Sequence, residues 1–180
     1  MKQDKAFRIR IFEDYDEPLT SYERILARLE KTKHTAADVE RFSIALAEFQ
    51  EEEEFSAKAG IFLSALMNSG KDQDYAIHTA HLHMTPDFIG YQNTKNITVD
   101  GDVGDTAGAW MTGGSITITG NAGITLGLGM RAGSITVNGD ADYHIGRSMV
   151  GGEIRIEGGI GKIAAVQGKI FHKGKLIVDK

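Results

Sequence analysis

Aliphatic and polar positions recur with a fixed period in the second half of the chain. Four isoleucines stand 19 residues apart, at Ile97, Ile116, Ile135 and Ile154 (116 − 97, 135 − 116 and 154 − 135). Each is followed two positions later by a second aliphatic residue, with a Thr or an Arg between them. Side chains two apart on a strand share a face, so each pair predicts a short strand whose aliphatic side chains point inward. A fixed short period indicates one structural unit stacked on copies of itself.

Three further apolar columns keep the same period. They are Val103, Ala122, Ala141 and Ile160; then Ala107, Leu126, Ile145 and Ala164; then Met111, Met130 and Met149, after which Gly168 interrupts the series. Glycines also recur at fixed places, where they permit positive φ and close backbone approach. Asp142 stands at one of these glycine positions, and we expect it to adopt the left-handed conformation that Asp tolerates. The columns predict a single-stranded parallel β-helix with 19-residue coils, right-handed like most parallel crossovers.

Helical spacing replaces this period in the first half of the chain. A helix is predicted over about residues 20–32, where Thr20 and Glu23 have the spacing of a capping box. Thr35 and Asp38 open a second helix in the same way, and a third is predicted over residues 55–68 with Gly70 as its stop.

Two strands are predicted to flank these helices. One is indicated by the alternation of Phe7, Ile9 and Ile11 with arginines, and the other begins at Tyr75 and runs toward a group of histidines. From there to residue 96 we expect an irregular first coil that joins the helices to the repeats.

The predicted fold class is therefore α+β, with a helical segment before the β-helix. Residues 1–75 form an N-terminal cap of strand and helices, and residues 76–180 form the β-helix with C-terminal closing strands. Residues 169–178 are expected to make a closing hairpin, with Lys173 and Gly174 at its turn, or a terminal half-coil. Solenoid ends need covers over their unpaired edges. The helices would cover one end, and the tail or a second copy of the chain would cover the other.

Composition and charge exclude several classes of function. The 180 residues include no cysteine, which excludes disulfides, thiol catalysis and thiolate metal sites. The net charge of −5 and the lack of a basic stripe argue against nucleic acid as a partner. No apolar run is long enough for a membrane span, and no signal sequence opens the chain, so a cytoplasmic location without a membrane partner is expected.

No catalytic or cofactor-binding residue is predicted, and no cofactor is expected. Residues 127–132 fit the dinucleotide fingerprint G-x-G-x-x-A, but that motif needs a following helix and here lies inside the repeat. His144, His172 and Tyr143 are isolated in the sequence and form no catalytic arrangement. Trp110 occupies a position that is small in the other repeats, so we expect it to be exposed. It either marks a contact surface or has no role.

A group of three histidines is the best chemical candidate. His81 and His83 would share one face of the predicted strand, and two imidazoles on one face can begin a zinc or iron site. The third ligand would come from His78, from Asp87 or from another chain. The alternative is that these are surface or interface histidines without a metal.

The repeat G-x-x-G-x-x-x-G-x-x-M-x-G-G-x-I-x-I-x-G resembles the GXGXG domain. This family includes the C-terminal domain of the glutamate synthase large subunit and one of the subunits of formylmethanofuran dehydrogenase. The resemblance covers about residues 90–168, and MTGG at 111–114 with SITITGNAG at 115–123 is most similar to the formylmethanofuran dehydrogenase protein. It implies a right-handed β-helix that carries no active-site residues. Such a β-helix serves as a structural element and as a contact between subunits, beside catalytic domains.

Two functions are predicted from these observations. The first is a non-catalytic structural or subunit-interaction protein of a redox or amidotransfer enzyme, with the catalytic polypeptide as partner and with itself as a homodimer. The second is an enzyme, either metal-dependent at His78, His81 and His83 or an acyltransferase with its cleft between coils of neighbouring subunits. The fold alone does not license an enzymatic function.

Overall fold

The computed structural model of the protein describes residues 18–180, with side chains from residue 20 onward. The strand predicted from Phe7, Ile9 and Ile11 lies outside the described residues. The helices are α1 (Pro18–Leu29), α2 (Ala36–Ala45) and α3 (Phe55–Ser69), with a 3₁₀ turn at Leu46–Phe49 after α2. The strands are β1 (Asp74–His78), β2 (Asn96–Asp100), β3 (Ser115–Ile118), β4 (Ser134–Val137), β5 (Glu153–Ile156), β6 (Lys169–His172) and β7 (Lys175–Asp179).

The strands form one sheet in sequence order, parallel from β1 to β6. Ile97, Ile116, Ile135 and Ile154 are direct neighbours in this ladder, which confirms the parallel solenoid of 19-residue coils. The second aliphatic column stacks in the same register, and both columns are buried. The third column forms parallel bridges from Val103 to Ile160.

The first and last coils depart from the 19-residue length. Tyr75 pairs with Ile97, so the first coil has 22 residues (97 − 75), and Ile154 pairs with Ile170, so the last has 16 (170 − 154). The alignment predicted for the last coil is therefore wrong at two places. Ile163, not Ala164, bridges to Ile145. Gly168 does not take the place of a methionine; it stacks on Gly152 as the next member of a glycine column, because three residues are missing before it.

The glycines fill two structural roles. Gly152 and Gly168 form corners at φ +90° and +83°, a backbone conformation that residues with a side chain rarely adopt. Gly139 has no positive φ, but a Cβ there would lie 2.6 Å from the carbonyl oxygen of Gly120, so close approach excludes a side chain. Asp142 also lacks a positive φ, and the left-handed conformation expected for it is wrong because its place in the coil does not require one.

The C-terminal tail forms the predicted hairpin. Strands β6 and β7 are antiparallel, and Lys173 and Gly174 connect them at φ 49° and 73°. Two successive positive φ values are typical of the tight turn that suits the twist of paired strands. The chain thus adds its own antiparallel strand to the sheet, and β7 is the last strand in the sheet that the described residues form.

The capping box predicted for α2 is confirmed, and the one predicted for α1 is wrong. The Thr35 side chain accepts from the Asp38 backbone N–H while the Asp38 carboxylate accepts from the Thr35 N–H. Helix α1 instead begins at Pro18, so Thr20 lies inside its first turn. Proline suits a helix start because its φ is already helical and its missing N–H is not needed there.

Helix α3 joins the helical segment to the solenoid. Residues 59–67 are all buried, so this part of the helix is enclosed on every side. A Cβ on Gly60 would lie only 1.5 Å from the carbonyl oxygen of Asp87, which shows how closely the first coil approaches. Ser64 Oγ accepts from the Gly90 N–H at 2.9 Å. One continuous hydrophobic core runs from Tyr22 in α1 to Ile170 in β6, and the predicted boundary at 75/76 falls inside β1.

Candidate functional site

The three histidines do not share a strand face. Strand β1 ends at His78, because the backbone N–H groups of Thr79 and Ala80 both donate to the same acceptor, the carbonyl oxygen of Asp100. His81 and His83 lie in the turn that follows. The prediction that a single strand carries His81 and His83 on one face is therefore wrong.

Each histidine contacts the helical segment instead. His81 Nε2 lies 3.0 Å from the carbonyl oxygen of Ile44. The backbone N–H of His83 donates to the Gln50 side-chain oxygen at 2.8 Å. The His78 N–H donates to Ser43 Oγ at 2.9 Å. The histidine segment thus fastens the first coil to α2 and the 3₁₀ turn.

His78 lies between two carboxylates from different elements. Its Nε2 is 3.1 Å from Glu40 Oε1 on α2, and its Nδ1 is 3.1 Å from Asp100 Oδ2 on β2. Glu40 and Asp100 raise the pKa of His78 above its ordinary value, against a smaller lowering by burial. Both ring nitrogens can donate only when the imidazole is protonated. When it is charged, His78 on β1 therefore binds both Glu40 on α2 and Asp100 on β2, an arrangement called the His78 link below.

The described residues do not assemble a metal centre. Residues 18–180 contain no group of three or more His, Asp or Glu side chains placed to hold a metal ion. Asp87, proposed as a third ligand, accepts from the Asp105 backbone N–H at 2.7 Å. Burial raises the pKa of the Asp87 carboxyl, the Asp105 hydrogen bond lowers it, and the Asp105 charge raises it.

Asp and Asn side chains form a ladder that the sequence analysis missed. Asp102 Oδ1 accepts from the Asn121 backbone N–H at 2.6 Å, and Asn121 Oδ1 accepts from Asp140 N–H at 2.8 Å. Asp140 Oδ1 then accepts from Gly159 N–H at 2.6 Å. Each side chain satisfies a corner donor of the next coil. The sequence contains a pattern from which this ladder could have been predicted, because three successive repeats place Asp or Asn directly after a glycine.

The remaining candidates stay apart from one another. His172 Nε2 lies 2.8 Å from the Gly158 carbonyl oxygen, while His144 and Tyr143 are exposed. Residues 127–132 form a coil corner, and the strand β4 follows where a dinucleotide site needs a helix. This arrangement does not match the phosphate-binding geometry of the fingerprint.

Large apolar side chains are exposed on the outer corners of the solenoid. The exposed fractions are 40 % for Trp110, 38 % for Ile124, 58 % for Tyr143, 57 % for Val150 and 63 % for Val166. The exposure predicted for Trp110 is confirmed. Its ring lies against the backbone of Gly129 in the next coil, where an added Cβ would be 2.4 Å from Trp110 Cε3. These corners are the best candidate for a functional surface.

Comparisons with protein-family models, curated proteins and solved structures find no match to this chain. The GXGXG resemblance therefore stays a prediction. Within residues 18–180, no helix has both the length and the apolar composition needed to cross a bilayer.

Proposed function

We propose that this chain is a non-catalytic structural and subunit-interaction protein whose β-helix contacts a partner protein. The observation that carries the proposal is the set of large apolar side chains on the outer corners. Single exposed apolar residues are ordinary on protein surfaces. Here five occur within 57 residues (110 to 166), all in the connecting segments and not on the strands β2 to β5, whose outer positions hold polar residues such as Thr117 and Arg155. Exposed apolar surface of this kind is typical of interaction sites.

The packing of the interior supports the same function. The inward columns of the central coils are filled by side chains such as Leu126, Met130 and Ile145, each fully buried. Because these side chains fill the interior of the coils, it is the outer surface of the coils that other molecules can contact. The polar groups that come together, in the His78 link and the Asp–Asn ladder, satisfy one another or the backbone.

The proposed partner is the catalytic polypeptide of an oxidoreductase or amidotransfer assembly. This finer assignment rests on the resemblance of residues 90–168 to the GXGXG domain. In that family the β-helix lies beside catalytic domains and supplies contacts rather than chemistry. With a catalytic polypeptide as its partner, a solenoid with a packed interior would have a structural function and would need no active site of its own.

We also propose that the chain forms a homodimer. Within residues 18–180, strand β7 has a strand neighbour on one side only, and its residues Leu176 and Ile177 are 42 % and 40 % exposed. An exposed strand edge can pair with a second copy. Lys175 and the register shift in this hairpin oppose unlimited edge pairing, which favours a closed dimer over longer assemblies.

The proposal is tested by purification from the native source. The tagged chain, expressed from its own locus, is isolated in low salt and analysed by size-exclusion chromatography with light scattering. We expect one partner in fixed stoichiometry with the chain. Tyr143→Ser and Val166→Ser together should weaken this association, whereas Thr98→Ser and Thr117→Ser on the outer face of the sheet should not. A chain that elutes without a partner under these conditions contradicts the proposal.

A further inference from the structure

One stripe of the outer corners combines an aromatic side chain, aliphatic side chains and arginines. The Trp110 stripe is defined here as Trp110, Leu128, Arg131, Arg147 and Val150. Backbone hydrogen bonds stack these residues coil upon coil: Trp110 N–H donates to the Leu128 carbonyl and Gly129 N–H to the Arg147 carbonyl, both at 2.8 Å. Arg131 N–H and Val150 N–H donate to Met111 and Met130, each at 2.9 Å. The stripe is therefore continuous over three coils.

Trp110 is held in place before any partner binds. Its ring lies across the Gly129 backbone, and Gly129 has φ +62° and no side chain to displace it. Rigid aromatic side chains lose little conformational freedom on binding. A large, pre-positioned and 40 % exposed indole is therefore suited to be the centre of an interface.

The stripe is positively charged within an acidic protein. The three coil segments that contain it, residues 106–113, 125–132 and 144–151, include no Asp and no Glu, although the whole chain has a net charge of −5. Arg131 and Arg147 are exposed, and neither has an ion-pair partner in the part of the chain that the structure describes. The carboxylates of these coils lie instead on or beside the strands and at the corners that follow them, at Asp100, Asp102, Asp105, Asp140, Asp142, Glu153 and Glu157.

From this segregation we infer that the Trp110 stripe binds an acidic and apolar surface of the partner protein. Carboxylates of the partner would pair with Arg131 and Arg147, which can each take a carboxylate through two parallel hydrogen bonds. An apolar side chain would cover Trp110 and Val150. Trp and Arg are the residue types most enriched where interfaces derive their binding energy. This inference rests on the proposed function and names the surface and the partner's chemistry.

The test uses a photo-crosslinking amino acid in the full chain. p-Benzoylphenylalanine is placed at Trp110, and in a matched control at Thr117 on the outer face of β3, and each variant is expressed from the native locus. We expect one heterologous product that forms from position 110 and not from position 117. The double variant Arg131→Glu/Arg147→Glu should weaken that product about tenfold or more, since reversed charges repel the partner's carboxylates. Arg131→Lys/Arg147→Lys, which keeps the charge but loses the paired hydrogen bonds, should weaken the product less than the charge reversal does.

The crosslinked partner is then purified and titrated against the chain. Trp110 is the only tryptophan of the chain. After the fluorescence of the partner alone is subtracted, a change in Trp110 emission during the titration reports burial of the stripe. The dissociation constant should rise with salt and should rise about tenfold or more in the charge-reversed variant. Thermal unfolding of the variants should match the wild type, because both arginines are exposed.

Several outcomes would overturn the inference. A product from position 117 but not from position 110 retains the proposed function and refutes the stripe. A product made only of two copies of this chain identifies the stripe as a self-contact. A nuclease-sensitive product identifies a nucleic acid. A partner whose affinity is unchanged by charge reversal refutes the acidic chemistry.

Discussion

The Cε atom of Met130 lies 2.6 Å from the point where a Cβ atom on Gly152 would stand. Met111 and Gly133 have the same relationship at 2.6 Å, and Met149 and Gly168 have it at 2.5 Å. Each methionine thus fills the space that the glycine corner of the next coil leaves open. The methionine and glycine columns are coupled across coils, although each column alone looks like a separate feature of the repeat.

Gly152→Ala should destabilise the protein by about 1–3 kcal/mol, because the new methyl group meets Met130 and the backbone is held at φ +90°. The matched control is Gly113→Ala, since a Cβ there would have nothing within 4 Å. That change should stay within about 0.5 kcal/mol. Urea unfolding of both variants gives the comparison.

A double variant separates the two causes of this cost. Met130→Ala should cost about 2–5 kcal/mol by leaving a cavity. Combined with Gly152→Ala, it should cost less than the sum of the single changes, because the added methyl enters the vacated space. Strictly additive free energies of unfolding would show that the contact does not couple the two columns.

Asn121→Asp should destabilise the solenoid by about 1 kcal/mol at neutral pH. The variant keeps the acceptor for Asp140 N–H but loses the 3.1 Å donation from Asn121 Nδ2 to Asp102, and it places a third carboxylate in the ladder. Like charges in adjacent coils repel. The loss should shrink as the pH falls toward about 4, where carboxylates take up protons. Urea unfolding across this pH range measures it.

The control for this ladder variant is Gln167→Glu, which makes the same change in net charge at an exposed position outside the ladder. It should leave the free energy of unfolding nearly unchanged. An equal loss in the two variants would assign the effect to net charge and not to the ladder.

The His78 link should stabilise the protein more in mild acid than in alkali. Glu40 and Asp100 raise the pKa of His78 in the folded protein above its unfolded value of about 6.5. The stabilisation is therefore complete below that unfolded value and is lost as the pH rises through the folded one. His78→Gln should cost more at about pH 5.5 than at about pH 9, by less than about 1 kcal/mol for each of these partly exposed pairs.

His81→Gln serves as the comparison for His78, since His81 contacts the carbonyl oxygen of Ile44 and not a carboxylate. Its effect on the unfolding free energy should vary less across the same pH range. A His78→Gln cost that is independent of pH would contradict the charged link.

Protein purified without an affinity tag should contain zinc and iron well below one ion per chain. Residues 18–180 contain no group of three or more His, Asp or Glu side chains placed to hold a metal ion, and His81 Nε2 lies 3.0 Å from the carbonyl oxygen of Ile44. Elemental analysis provides the measurement. Near-stoichiometric metal that disappears in the His81→Ala/His83→Ala variant would restore the metal-dependent alternative.

The repeated part of the fold was predictable because repetition constrains the register. Once Ile97, Ile116 and Ile135 occupy one column, every residue between them is aligned with its counterpart one coil away. The alignment of the last coil could not be predicted in this way. This coil has 16 residues instead of 19, yet it keeps the glycine corner at Gly168, so a fixed period places its residues in the wrong columns. The hairpin turn at Lys173 and Gly174 was also predictable, since local turn chemistry suffices for it.

By itself, the sequence determined the stacked coils, the columns of the core and the position of Trp110 on the outside. These depend on a local period, and a period is visible without knowing what lies nearby. Only the tertiary structure decided what the histidines contact and how the helices close the first coil. Glu40 and His78 are 38 positions apart, and no period relates the helices to the strands. Such pairs are brought together by the packing of the core, and no pattern of residue types along the chain records that packing.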